Sequence, residues 1–300
     1  MREVLRHFRK LLKYKLLWSY LFLLKLLISF LLIVPIFLES NSRLAPSLHS
    51  SPLITEWNIG VLVELFVNQS ELPIVYLLYI LVGAFIFVGI MQFLNGGLYY
   101  LMVSGEVGTN KWREFFAECG ANFIVHLKIT LFMTVIYIIL LPASLFFVNM
   151  IGVAGQSLMG AAAIIFMLFK AGIIFAVLLA ASIFSDSIRA ASTVHPGMPL
   201  TELIKLGANY YRPNMIKMVG IFLLTYMPFL IIWGLVESLS LGAVSIFGGM
   251  VGIILELSLF QISALARTGQ KLWYLILFGR HFKETNPGRF LPEQVQLNLE

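Results

Sequence analysis

Six long apolar runs dominate this sequence of 300 residues and constrain its fold more than any other feature. They cover residues 16–38, 73–103, 123–149, 158–184, 216–236 and 243–266. A helix needs about 20 apolar residues to cross a hydrocarbon core about 30 Å thick. Because 59% of the residues are hydrophobic and 12% are charged, the composition also lies outside the range of soluble domains. The sequence therefore predicts an all-α polytopic membrane protein, with six transmembrane helices in a single integral membrane domain over residues 1–300.

The basic residues indicate how the six spans are oriented. Seventeen of the 21 lysines and arginines fall on one side: Arg2, Arg6, Arg9, Lys10, Lys13, Lys15, Lys111, Arg113, Arg189, Lys205, Arg212, Lys217, Arg267, Lys271, Arg280, Lys283 and Arg289. By the positive-inside rule, both termini are expected in the cytoplasm, in a multi-pass protein of the cell inner (plasma) membrane. The partners expected at this face are the lipid bilayer and its anionic lipids. Nucleic acid is not expected, since no basic stretch is interleaved with aromatic residues.

Residues 113–142 and 201–228 are near-copies of each other. Each begins with a glutamate and an apolar pair, continues through Gly-Ala-Asn-aromatic, and ends an apolar run at a proline. An asparagine before an apolar run commonly caps a helix, so the motif predicts a turn at a helix start in both copies. The residues concerned are Gly120, Asn122, Gly207 and Asn209. The alternative is chance similarity, because apolar sequences align easily with one another.

The repeat divides the chain into three pseudo-repeated hairpins, at about 1–103, 110–184 and 198–266. Cytoplasmic interfacial helices are expected before the outward-going spans, at residues 1–15, 110–120 and 198–211. A C-terminal interfacial segment and a polar tail are expected over 267–300, with the Trp and Tyr of 272–282 at the membrane surface. Two spans per repeat return the chain to the same side, which makes the copies parallel.

Several short motifs resemble those of six-span bacterial membrane proteins that are poorly characterised. The resemblance is to the membrane domain attached to some glycerophosphodiester phosphodiesterases, and to related membrane domains of unknown function. It rests on Gly96-Gly97-Leu98, Gly105, Glu114-Phe115-Phe116, Asp186-Ser187-Ile188-Arg189 and residues 202–212. The resemblance covers most of the chain at low specificity. It implies the six-span fold and an inner-membrane location, and it carries no catalytic residues.

Three ionisable residues lie inside the apolar runs and form the predicted intramembrane charge cluster: Lys25, Lys170 and Glu256. At 1.5 Å per residue, Lys170 lies about 18 Å and Glu256 about 20 Å from the outer side, and Lys25 reaches a similar depth. Each charge costs at least about 2.5 kcal/mol in the membrane unless it is paired or hydrated. We therefore expect Glu256 to pair with Lys170. Such a pair either fixes helix packing or belongs to a substrate or proton site, and Lys25 either lies nearby or extends its ammonium to the surface.

Other polar residues fall at the cytoplasmic ends of the spans. Asp186, Arg189 and Glu202 are the candidates for a cytoplasmic interface. Asp186 and Arg189, three residues apart, are expected to form a local helix pair. The alternative reading places them with Glu202 in a site that acts on lipid. His126 is expected to extend towards the inner surface.

The sequence lacks the spacing motifs of enzymes and of metal or cofactor sites. The five histidines are scattered and the single cysteine, Cys119, has no pair. We therefore expect no catalytic residues, no metal and no cofactor. The preferred function is a non-enzymatic component that assists assembly, organises lipid or binds a membrane protein partner. The alternative is a small-solute transporter or channel that uses the intramembrane charges.

Overall fold

The described part of the chain is entirely helical. A computed structural model of the protein describes residues 11–12, 14–44, 72–105, 112–154, 160–247 and 249–286. Within these residues there are six long helices: α1 (Lys15–Leu44), α2 (Leu72–Ser104), α3 (Trp112–Ala154), α4 (Ala161–Val194), α5 (Leu200–Phe247) and α6 (Gly249–Thr285). The expected interfacial helix over 1–15 and the polar tail fall mostly or wholly outside the described residues.

Five helices are long and apolar enough to cross a membrane. The qualifying stretches are Lys15–Leu32, Leu77–Ser104, Trp112–Met150, Ala162–Val194 and Leu200–Ser240. Helix α6 is not among them within the described residues. The structure thus confirms an all-helical protein with transmembrane-type helices, whereas the sixth span and the three repeats stay predictions.

Helices α3 and α5 are each continuous where the sequence predicted an interfacial helix, a turn and a span. They contain 43 and 48 residues, which is about 64 and 72 Å of helix. Gly120 and Gly207 lie inside them, so the predicted turn at the Gly-Ala-Asn motif is wrong. Pro142, Pro213 and Pro228 also lie inside these helices. The interfacial location of the first turns stays a prediction.

The reason for the missing turns is visible in the contacts of the motif. Asn122 donates to the backbone carbonyl of Glu118 at 3.1 Å and to its carboxylate at 2.8 Å, a bond within α3 rather than a cap. A Cβ on Gly207 would lie 3.1 Å from the Ile188 backbone, so this glycine lets α5 approach α4 closely. Asn209 is exposed within α5. A local side-chain bond therefore accompanies the continuous helix at the first motif, and close packing on α4 accompanies it at the second.

The chain divides into two compact units. The smaller comprises residues 17–91 and contains α1 and the first part of α2. Within it, the missing side chain of Gly83 leaves room for Leu32, whose Cδ2 would lie 2.8 Å from a Cβ at this position. The larger unit comprises residues 1–16 and 92–300. It holds the end of α2 and all of α3 to α6.

The core of the larger unit is formed by one end of its helices. The fully buried large side chains there are Leu94, Tyr99, Phe115, Ile129, Ile183, Ile188, Leu203, Met218, Tyr274, Phe278 and Phe282. They belong to the C-terminal halves of α2, α4 and α6 and to the N-terminal halves of α3 and α5, which meet because the helices alternate in direction. This is the end that the charge distribution predicts to be cytoplasmic.

The structure corrects one expectation about this end. Residues 272–282, expected at the membrane surface, are packed inside the protein: Leu272 and Tyr274 are 1% exposed and Phe278 is fully buried. The aromatic side chains there pack on one another and on Tyr210, at 4.5 Å from Phe282. The other ends of α3 and α4 have the opposite character, with side chains such as Ile138 and Ile165 more than 60% exposed. An apolar surface of this kind is typical of helices that contact lipid.

Candidate functional site

Asp186 is the centre of a polar cluster inside the core of the larger unit. Its side chain is 3% exposed. Tyr99 on α2 donates its hydroxyl hydrogen to the carboxylate. The ammonium of Lys271 on α6 lies 3.2 Å from Oδ2, and the guanidinium of Arg189, one turn further along α4, lies 3.8 Å from Oδ1. Burying a carboxylate is tolerated when cations and hydrogen-bond donors replace the water that it loses.

Arg189 extends this cluster to α3 and adds a second contact with α2. Its Nη2 donates to the Gln92 side-chain oxygen at 3.3 Å and to the Thr130 hydroxyl at 3.1 Å. Its side chain is 15% exposed. One guanidinium therefore joins α2, α3 and α4, which suits the fixed fork of donors that only arginine offers.

His126 and Ser192 form the other edge of the cluster. Ser192 donates its hydroxyl hydrogen to the Arg189 carbonyl at 2.8 Å, so the 3.4 Å contact with His126 has the imidazole Nε2 as donor. The ring packs edge-on against Tyr99 at 5.6 Å between centroids. His126 is fully buried, and the expectation that it extends to the inner surface is therefore wrong. One face of the first half of α3, which carries His126 and Ile129, packs into the bundle, whereas Phe116 and Ile124 on the same half are exposed.

The cluster holds one carboxylate and two cations, and one cation has access to its surroundings. The side chain of Lys271 is 44% exposed, and its ammonium also lies 5.1 Å from the centre of the Tyr274 ring. The hydroxyl of Tyr274 and Nδ1 of His126 are buried without a hydrogen-bond partner among the described residues. The arrangement is suited to holding four helices together, with Lys271 as its contact with solvent or headgroups.

A shallow cleft of about 90 Å³ lies next to the cluster. Ser192 connects the two, since it contacts His126 and also lines the cleft. Further polar groups come from Glu118 and Asn122 on α3 and from His195 in the turn after α4. Burial lowers the pKa of His195 below its usual value, which favours the neutral imidazole. Gly197, with φ +84°, supplies the left-handed residue that this turn requires.

A second group of polar contacts joins α5 to α6 at the same end of the bundle. The Lys217 ammonium donates to His281 Nδ1 at 3.2 Å, and His281 Nε2 donates to the side-chain amide oxygen of Asn214, Oδ1, at 3.1 Å. Burial lowers the pKa of His281, the Lys217 cation lowers it further, and Glu284 opposes them. The imidazole is therefore held in its neutral Nε2–H form.

The predicted intramembrane charges are placed differently from the buried cluster. Lys170 has its ammonium 4.9 Å above the Phe166 ring of its own helix, and Glu256 is half-buried on α6. Among the described residues no ion pair joins Lys170 to Glu256, so the expected pair is not formed within one chain. Lys25 is half-buried on α1, in the smaller unit, and its place beside the other two stays a prediction.

The three candidates for a cytoplasmic interface separate in the structure. Asp186 and Arg189 form the expected ion pair along α4, but they belong to the core. Glu202 is exposed in the first turn of α5. The structure therefore does not bring Glu202 into the cluster of Asp186 and Arg189. No group of three or more His, Cys, Asp or Glu within the described ranges is arranged to hold a metal ion.

Sequence reasoning missed most members of the cluster, although helical spacing marks them. Each helix contributes two polar side chains to one face: Gln92 and Tyr99 are seven apart, His126 and Thr130 four apart, Asp186 and Arg189 three apart, and Lys271 and Tyr274 three apart. Two polar residues that are three, four or seven apart lie on one face of a helix. Such a pair in each of four apolar helices is a signal that a single polar residue does not give.

Comparison with protein-family models, curated proteins and solved structures finds no match for this chain.

Proposed function

We propose that this chain is an integral membrane protein of six spans, with both termini in the cytoplasm, that acts without catalysis as an assembly, lipid-organising or partner-binding component. The observation that carries this proposal is that the carboxylate of the buried cluster is contacted by the protein's own side chains. The carboxylate of Asp186 is engaged by Tyr99, Lys271 and Arg189 and is 3% exposed. A catalytic carboxylate has to reach a substrate, whereas this one is occupied by the protein itself.

The distribution of apolar surface supports the same proposal. The helices pack tightly at the end that the charge distribution predicts to be cytoplasmic and present apolar side chains at the other end, where Phe146 and Met167 are 68% and 70% exposed. In the bilayer this surface contacts lipid or other helices. A packed bundle at one end with exposed apolar helices at the other suits a component that associates laterally in the membrane.

The test begins with purification in a mild detergent and native mass spectrometry. Stoichiometric copurification of a membrane protein or a defined lipid, which survives Glu202→Gln but is lost when the bundle is disrupted by Asp186→Asn, supports the proposal. An assay of lipid turnover, with the native protein and with Asp186→Asn, Arg189→Gln and Glu202→Gln, looks for the result that would contradict the proposal. Turnover by the native protein that each of these changes abolishes would make the chain an enzyme.

A transporter or channel is the second candidate, and one observation favours it. Lys271 is 44% exposed and contacts a carboxylate that is 3% exposed, so it links Asp186 to the surroundings of the bundle. Half-buried Lys170 and Glu256 would form the intramembrane part of such a route. In proteoliposomes, solute or proton flux that is lost in both Glu256→Gln and Lys271→Met would favour this candidate. Fusions of a cytoplasm-active reporter at both termini test the orientation on which both proposals depend.

A further inference from the structure

Lys170 is a cation on an apolar helix surface. It lies in Ala162–Val194, the stretch of α4 that is apolar enough to cross a membrane. Its neighbours Met167 and Leu168 are 70% and 67% exposed. The contact of its ammonium is with Phe166, four residues earlier in the same helix. Among the described residues, no carboxylate pairs with it.

Glu256 is the complementary case on α6. It is half-buried, and exposed apolar side chains surround it in sequence: Leu255, Leu257 and Phe260 are 37%, 57% and 38% exposed. No ion pair of Glu256 is present in the described part of the chain. A carboxylate among leucines needs a cation or water, since hydrocarbon supplies neither.

The two residues lie at a similar distance from the same end of the bundle. Lys170 is nine residues after the start of α4 and Glu256 is seven after the start of α6, which is about 14 and about 10 Å along the helices. Helix α5 returns the chain between them, so α4 and α6 run in the same direction. An axis along the membrane normal would preserve both depths in a second copy.

We propose that two copies of this chain associate in the membrane through Lys170 of one copy and Glu256 of the other. A two-fold axis relates the two copies, so the Lys170–Glu256 contact forms twice in the dimer, once from each copy to the other. The exposed apolar side chains beside each charge supply the packing. This inference rests on the proposed six-span arrangement, and it names a second copy as the partner that the proposed function requires.

Charge reversal tests the pairing in a way that an intramolecular pair cannot imitate. One variant, Lys170→Glu, has an acid at both positions 170 and 256. The other variant, Glu256→Lys, has a lysine at both positions. Alone, each variant is expected to lose association by at least about tenfold in Kd, because like charges face each other. Coexpressed with different tags, the two are expected to copurify as a mixed dimer, since both pairings are restored. Native mass spectrometry in a mild detergent, at several protein concentrations, measures each species.

The control pair carries the same changes on exposed side chains at the cytoplasmic end, Lys205→Glu and Glu284→Lys. Both control variants are expected to dimerise like the native chain. Monomeric native protein, dimers that persist in each single reversal, or single reversals that stay monomeric when mixed would each overturn the inference. If a reversal fails to fold, cysteine replaces the charges in separately tagged chains, Lys170→Cys and Glu256→Cys, in a Cys119→Ser background. Absence of a disulfide between the two tags then overturns it.

These outcomes are separable from those of the proposed function. A native chain that is monomeric but copurifies with another membrane protein contradicts the second copy and leaves the partner-binding role supported. A dimer that turns over lipid contradicts the non-enzymatic role and leaves the pairing supported.

Discussion

Tyr99 on α2 donates its hydroxyl hydrogen to the carboxylate of Asp186 on α4, 87 residues later in the chain. Both residues are almost fully buried, at 1% and 2% exposed. The bond brings the end of α2 into the same core as α3 to α6. Because the acceptor is an ionised group that has lost its water, the contribution of this bond to stability exceeds that of an ordinary hydrogen bond.

Removal of the Tyr99 hydroxyl tests the contribution of this hydrogen bond to stability. Tyr99→Phe keeps the ring and deletes the hydroxyl, so it should lower the free energy of unfolding by about 1.5–3 kcal/mol. The matched control is Tyr226→Phe, whose ring packs on Phe222 and Phe229 and which should change stability by less than about 0.5 kcal/mol. Thermal unfolding in one detergent measures both. Equal effects of the two substitutions would contradict the role of the Tyr99 hydroxyl.

The ion pairs of Asp186 are expected to be coupled. Asp186→Asn leaves Arg189 and Lys271 without their counter-ion and should cost about 3 kcal/mol. Lys271→Met should cost less, because the Lys271 side chain is 44% exposed and solvent screens its charge. In the double variant the losses should fall short of their sum, which a double-mutant cycle measures directly.

An exposed ion pair provides the comparison for this cycle. Arg280 and Glu284 lie 2.8 Å apart on α6 with both side chains more than half exposed. Glu284→Gln should therefore change stability by less than about 0.5 kcal/mol. Additive losses at Asp186 and Lys271 would show that their contact contributes nothing measurable.

The packing of α6 on α2 depends on a glycine. A Cβ on Gly279 would lie 2.7 Å from the Met102 carbonyl oxygen and 2.8 Å from its carbonyl carbon, and backbone atoms cannot rotate away. Gly279→Ala should therefore destabilise the protein by about 1–3 kcal/mol. Gly220→Ala, inside α5 with nothing within 4 Å, should instead be neutral or stabilise by up to about 1 kcal/mol. Unfolding midpoints of the two variants that move in the same direction would contradict the close approach.

Acidification should weaken the junction of α5 and α6 and the turn that follows α4. The folded state lowers the pKa of His281 through burial and Lys217, and burial lowers that of His195. Below the unfolded pKa of about 6.5, the unfolded chain binds protons that the folded chain refuses, so the free energy of unfolding falls as the pH falls. Between pH 6.5 and pH 5, the decrease in the free energy of unfolding should be smaller in His281→Gln than in the native protein. It should be smaller still in the double variant that also carries His195→Gln. An unchanged pH dependence in the double variant would contradict the assignment.

Much of the fold follows from local pattern, and the candidate site follows from it only in part. Apolar length marked the regions of all six helices, and the spacing of Asp186 and Arg189 predicted their ion pair correctly. The turn at Gly120 and Gly207 was predicted wrongly. At Gly207 a residue that can break an isolated helix instead lets α5 approach α4 closely, whereas Gly120 lies in a continuous helix with nothing within 4 Å of an added Cβ. Burial of His126 was missed for a similar reason, since its neighbours come from α2 and α4.

By itself, the sequence determined that this protein is helical and suited to a membrane, because those properties depend on apolar length along one helix. The tertiary structure decided which polar groups meet. In the sequence, Asp186 lies 87 residues after Tyr99, and Lys271 lies 85 residues after Asp186. Their contact depends on helix direction, rotation and close approach at residues such as Gly279, which no single helix specifies. Burial then makes that contact favourable, because inside the core the carboxylate has only these side chains in place of water.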